Sequence, residues 1–104
     1  GQNIWPGDIE SVLLRHPQVA EAAVLGTPDE FRGEIIVAAI VLKPGANVTE
    51  PEIKKFCLDH LANYKVPKQF LFVESLPKTA AGKIDKESLR ARLSLPPVFP
   101  GTTS

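Results

Sequence analysis

The sequence predicts a small α+β domain: a sheet of about three main strands, helices packed on it, and a β-hairpin that carries lysine. Three observations lead there. Apolar runs of strand length recur along the chain, stretches at helical spacing separate them, and proline and glycine punctuate the boundaries. The chain has 104 residues, one domain's worth, and 43% of them are apolar, enough to build a core without staples.

Residues 6–15 read as a helix. Pro6 suits a first helical position, Asp8 complements the helix dipole, and Ile9, Val12 and Leu13 share one face before Pro17 ends the element. Val19 to Gly26 then reads as a strand, closed by the turn-rich "TPDEFRGE". Ile35 to Leu42 is continuously apolar and rich in β-branched residues, as a central strand covered on both faces requires, and Pro44-Gly45 turns the chain after it. Thr49 and Glu52 form a capping box, with Val48 and Ile53 as a hydrophobic staple, and Phe56, Cys57 and Leu61 continue that second helix until "YKVP" stops it. Gln69 to Leu76 is the third strand. A tight hairpin around Ala80-Ala81-Gly82 follows, and Asp85 can cap a last short helix in which Ile84, Leu89 and Leu93 are the apolar positions. Residues 94–104, with three prolines and no periodicity, are expected to be a flexible tail.

Twelve basic residues balance twelve acidic ones, which gives no electrostatic case for nucleic acid. No apolar run approaches the roughly 20 residues of a membrane span, so no integral membrane segment is expected. With no methionine, the chain reads as a piece of a longer protein. The single cysteine, Cys57, excludes an internal disulfide and fits a reducing, cytoplasmic setting.

The segment "LPKTAAGKID", Leu76 to Asp85, holds the one pattern that suggests chemistry. A nucleotide-cradling P-loop requires G-x-x-x-x-G-K-[ST]; here Pro77 stands at the first glycine and Ile84 at the hydroxyl, so the loop cannot wrap a phosphate with its own backbone. The G-x-x-G clamp of an RNA-binding KH domain is also missing, since Gly82 is the only glycine of the segment. Two readings remain. Either the lysines merely solvate a hairpin, or Gly82 and Pro77 shape a turn that presents Lys83 to a partner. A lysine ammonium carries its charge at neutral pH and offers three donors on a flexible stem, which suits it to stabilise anionic oxygens in a site built elsewhere.

Other candidates are weaker. His16 and His60 lack metal-ligand spacing and read as helix-end residues, Cys57 as a core filler, Asp29-Glu30 as turn carboxylates and Lys54-Lys55 as a solvated helix face. No metal site is expected. Lys78 is the nearest rival of Lys83 but lacks the adjacent glycine.

"LPKTAAGKID" resembles the last core motif of the adenylate-forming enzymes, approximately P-K-T-x-x-G-K-[IVL], the superfamily of acyl-CoA synthetases, peptide-synthetase adenylation domains and firefly luciferase. "GQNIWPGDIESVLLRHPQVAEAAVLGTPDEFRGEIIVAAIVLKPG" and "LANYKVPKQFLFVESLPKT" agree in order, so the resemblance covers residues 1–93 and is to the small C-terminal domain only. The large N-terminal adenylation domain is not in this chain. The resemblance implies two steps: a carboxylic acid and ATP give an acyl-adenylate and pyrophosphate, and CoA then forms the thioester. It implies that Lys83, supported by Gly82, serves the first step. It also implies that Gly1 lines the pantetheine path and that Arg32 and Tyr64 lie near the CoA nucleotide. Asn3 stands where some relatives place a basic residue. ATP, with magnesium, would be held mainly by the large domain, and nothing tightly by this domain alone. The partners implied are that large domain, a carboxylic acid, ATP and CoA. "NIWPGDIE" and "HPQVAEAAVLGTPDEFRGE" look most like bacterial medium- and long-chain fatty-acid ligases, and the isolated domain is expected to be inactive. A peptide-synthetase adenylation domain and a free-standing nucleotide- or partner-binding module are the alternatives.

Overall fold

The computed structural model describes residues 6–31 and 33–96. Helix α1 (Pro6–Leu14) leads into a hairpin of β1 (Val19–Asp29) and β2 (Gly33–Leu42). Helix α2 (Glu50–His60), a short 3-10 turn (Asn63–Lys65), strand β3 (Gln69–Phe72) and helix α3 (Lys86–Arg92) complete it. The sheet has three strands in the order β1-β2-β3, with β1 antiparallel and β3 parallel to β2. The expected α+β architecture is therefore the observed one.

Both faces of the β1–β2 hairpin are covered. On one side Val24, Ile36, Ala38 and Ile40 pack with Ile9 and Leu13 of α1 and with Ile53 and Cys57 of α2. On the other, Ala23, Leu25 and Ala39 pack with Leu76 and Leu89, so α3 and the segment before it form the second layer. This two-sided burial is why the middle of each strand is apolar without alternation. Each fully buried leucine or isoleucine, such as Ile9, Leu13 or Leu89, contributes on the order of 1.5–3 kcal/mol from its removal from water.

The capping box of α2 forms as the sequence predicts. Thr49 Oγ1 accepts from the Glu52 N–H at 3.4 Å, and Glu52 Oε1 accepts from the Thr49 N–H at 3.2 Å.

Three strand boundaries differ from expectation, among them the start of β2, at Gly33 and not Ile35. β1 runs on through Thr27, Pro28 and Asp29, which pair with Ile35, Glu34 and Gly33, where a loop was expected. β1 is an edge strand, and a proline there needs only that its missing N–H face outward. Conversely β3 ends at Phe72, not Leu76. Val73 still donates to the Ile40 carbonyl at 2.9 Å, but Leu76 then buries its side chain under α3 instead of continuing the ladder.

Residues 97–104 lie outside the described part, as do 1–5. The segment just before 97 is held: Leu95 packs on the second cluster, and the Pro96 carbonyl accepts from Arg90 Nη1 at 3.0 Å. No described helix is long and apolar enough to cross a membrane.

Candidate functional site

Lys83 sits on a short turn whose base is fixed and whose tip is open. Buried Leu76 anchors the entry. Lys78 and Ile84 form a single antiparallel bridge, and the Asp85 N–H donates to the Pro77 carbonyl at 2.8 Å. Inside that bridge the Gly82 N–H donates to the Thr79 carbonyl at 2.9 Å, and the Thr79 N–H donates to the Lys83 carbonyl at 2.7 Å. Gly82 takes a φ of 85°, the left-handed region that a Cβ makes costly. The expected hairpin is thus present in miniature, closed by one bridge and one tight turn.

The chain leaving the turn is held as firmly. Asp85 caps α3: its Oδ1 accepts from the Ser88 N–H at 3.1 Å and its Oδ2 from the Ser88 hydroxyl at 2.8 Å. These bonds, the backbone one first, hold the Asp85 carboxyl below its ordinary range. Lys86 Nζ meets Glu10 Oε2 at 2.8 Å, and the same oxygen accepts from the Val24 N–H at 2.8 Å, so one carboxylate ties α3 to α1 and β1. Arg90 Nη1 donates to the Gly26 carbonyl at 2.7 Å, and Arg92 Nη1 to the Ser75 carbonyl at 3.2 Å.

The structure separates the two lysines that the sequence left as rivals. Lys78 Nζ lies 2.9 Å from Glu21 Oε1, an ionic contact without hydrogen-bond alignment, and is a strut of the base. Lys83 is exposed, and its ammonium has no partner among the described residues. Two struts, Lys78 and Lys86, thus flank one presented cation. Thr79, Glu10 and Glu21 were missed by sequence reasoning. Only Thr79 carried a signal, its position three residues before Gly82, whereas the two glutamates reach the turn from far along the chain.

Of the remaining predicted residues, Tyr64 is described, and it lies toward the other end of the sheet. Lys78 meets Glu21, whose register partner Val41 is near the open end of the hairpin. Asp29 pairs with Gly33 at the opposite tip. β3 runs parallel to β2 from the Lys68 N–H bond to the Ile36 carbonyl at 2.9 Å, so the 3-10 turn bearing Tyr64 feeds in from that tip side. From Glu21 to Asp29 the extended strand spans roughly 26 Å at about 3.3 Å per residue. Tyr64 is 54% exposed, with Lys65 Nζ 5.8 Å from its ring centroid. At the tip Phe31 is 89% exposed, and its N–H donates to Asp29 Oδ2 at 3.1 Å. Gly1, Asn3 and Arg32 lie outside the described residues.

The structural readings of His16, His60 and Cys57 agree with the geometry, whereas Asp29 lies in β1 and not in a loop. His16 and His60 flank the Phe56 ring at centroid distances of 5.0 and 4.3 Å. No group of three or more His, Cys, Asp or Glu among the described residues could hold a metal ion. Cys57 is fully buried, and desolvation pushes its thiol up to about 11, the opposite of what a nucleophile needs.

A family model described as the AMP-binding enzyme C-terminal domain matches residues 8–83, from α1 through the presented lysine. The chain belongs to the AMP-binding enzyme C-terminal domain family. Among curated relatives of this family, the mitochondrial medium-chain acyl-CoA ligase of Mus musculus is 46% identical over 93 residues, 89% of this chain and 15% of that protein. The 2-succinylbenzoate–CoA ligase of Bacillus cereus is 52% identical over 90 residues, 86% of this chain and 18% of the relative. A solved Mycobacterium tuberculosis fatty acyl CoA synthetase superposes with a TM-score of 0.83 at 44% identity, covering 90% of this chain and 18% of that one. The chain therefore spans less than a fifth of the length of the relatives it matches. Those relatives are CoA ligases, and the family is one of adenylate-forming enzymes.

Proposed function

We propose that this domain is the mobile C-terminal part of an ATP-dependent acid–CoA ligase, and that Lys83 is its catalytic residue in the adenylation step. One observation carries this reading: Lys83 is the unpaired ammonium on a turn whose other cations are struts and whose own backbone is hydrogen-bonded in place. Such a group can enter a site held by a large domain and bridge two anions that would otherwise repel, the attacking carboxylate and the α-phosphate of ATP. Its contribution is charge stabilisation and orientation. The turn has no backbone cradle for phosphates, so ATP and its magnesium would be held by the large domain.

The opposite end of the sheet is assigned to the second step. Tyr64 offers an exposed ring there, and Arg32 and Gly1 are proposed with it as contacts of the CoA nucleotide and pantetheine arm. The strand that runs between the two ends spans roughly 26 Å, and two groups set toward opposite ends of it are proposed to act in turn, the domain rotating between adenylation and thioester formation.

A fatty acid is the proposed substrate class, supported by the medium-chain relative. The 2-succinylbenzoate relative shows that the acid varies within the family. A cytoplasmic setting is proposed from the lone free thiol, and fractionation of the native protein into an organelle would contradict it. The test of the catalytic reading is Lys83→Ala in the full-length protein, with a panel of straight-chain, aromatic and dicarboxylic acids. Pyrophosphate release should fall on the order of 100- to 1,000-fold, the scale of losing a transition-state charge donor. Undiminished release would contradict the assignment, and failure of every straight-chain acid in the wild-type panel would contradict the substrate class.

A further inference from the structure

We infer that Thr79 is a positioning residue for Lys83, acting through its hydroxyl; the inference rests on the reading of Lys83 as the adenylation lysine. Thr79 holds the turn with three groups at once. Its N–H donates to the Lys83 carbonyl at 2.7 Å, its carbonyl accepts from the Gly82 N–H at 2.9 Å, and its Oγ1 accepts from the Lys83 N–H at 3.3 Å. The first two bonds close the turn. The third is the only one made by a side chain, and it falls on the residue whose aim matters.

That bond has a specific mechanical consequence. Lys83 follows Gly82, which has a φ of 85° and no neighbour within 4 Å of where a Cβ would stand, so sterics alone do little to fix the link between them. With both its N–H and its carbonyl tied to Thr79, the Lys83 peptide units are held on either side of Cα. The lysine stem is about 6 Å long, so a backbone rotation of ~10° becomes about 1 Å at Nζ, enough to matter for a group that must touch two reacting anions. The same hydroxyl contributes little to stability, because the turn is exposed and water can replace it on the Lys83 N–H. Position and stability therefore separate here, and valine, nearly isosteric with threonine, removes the hydroxyl while leaving the backbone bonds.

The experiment uses the full-length protein with Thr79→Val, Thr79→Ser and Lys83→Ala, and the acid that the wild type activates fastest. Adenylation is read as pyrophosphate release without CoA, thioester formation from the supplied acyl-adenylate and CoA, and folding from Tm. Thr79→Val should lower kcat for adenylation roughly 3- to 30-fold with KM for ATP, thioester formation and Tm near wild type, and Thr79→Ser should restore most of the rate. A wild-type rate in Thr79→Val beside a crippled Lys83→Ala overturns the inference and leaves the lysine assignment standing. Equal loss in both half-reactions with a lowered Tm, or no rescue by serine, makes Thr79 merely structural and overturns it as well. A normal rate in Lys83→Ala overturns the reading on which it rests.

Discussion

Gly82 and Lys83 divide the work of the turn between conformation and charge. At Gly82 a Cβ would meet no neighbour within 4 Å, so the cost of Gly82→Ala comes from the φ of 85° alone. That cost is about 1 kcal/mol. A thermal or urea melt should show that modest loss, while adenylation by the full-length variant should fall more than stability does, because relieving the strain re-aims Lys83. A rate unchanged within twofold would show that the turn tolerates other conformations. Cys57 provides a separate check on the core. Burial raises its thiol from an ordinary 9.0 to about 11, so the folded state holds the proton more tightly than the unfolded state. The stabilisation is complete below pH 9 and is lost as pH rises toward 11, by roughly 2 kcal/mol at that pH. Urea midpoints of wild type and Cys57→Ala should converge over that window; parallel midpoints would contradict the burial. Lys83 was legible in the sequence because glycine precedes it. Lys78 ranked below it for want of that glycine, but its role as a strut was not legible, because it depends on Glu21, a contact that only the folded sheet makes.

Helix α3 is short, and its burial on the sheet does what its length cannot. A seven-residue helix is marginal by itself, and here Asp85 caps it while Leu89 buries it against Ala23 and Ala39. Leu89→Ala should cost roughly 2–5 kcal/mol and should loosen the lysine turn, since α3 holds the exit of that turn through Lys86 and Glu10. Denaturant melts check the first part and adenylation rates the second; a cost below about 1 kcal/mol would mean the site collapses without the helix. The caps of α2 and α3 were readable from Thr49, Glu52 and Asp85 because caps are local. The ends of β1 and β3 were not. Pro28 reads as a breaker until the strand is known to be an edge, and Leu76 reads as strand until α3 is there to bury it.

Taken as a whole, the molecule is a sheet covered by helices on both faces, with the proposed chemistry toward its two ends. The lysine turn hangs from the Glu21 side, and Tyr64 and the β1–β2 tip lie toward the other. None of this polarity is visible in the linear order, where Tyr64 and Lys83 are neighbours in the second half. It follows from the parallel pairing of β3 with β2, which sends the chain from one end of the sheet to the other between those two residues. The claim that the two ends serve two half-reactions is tested most directly by crossing two variants of the full-length protein, Lys83→Ala and Tyr64→Ala, with the two assays. The account predicts a crossover: Lys83→Ala loses adenylation by on the order of 100-fold or more and keeps thioester formation from supplied acyl-adenylate, while Tyr64→Ala keeps adenylation and weakens use of CoA. Equal losses by either variant in both assays would contradict it.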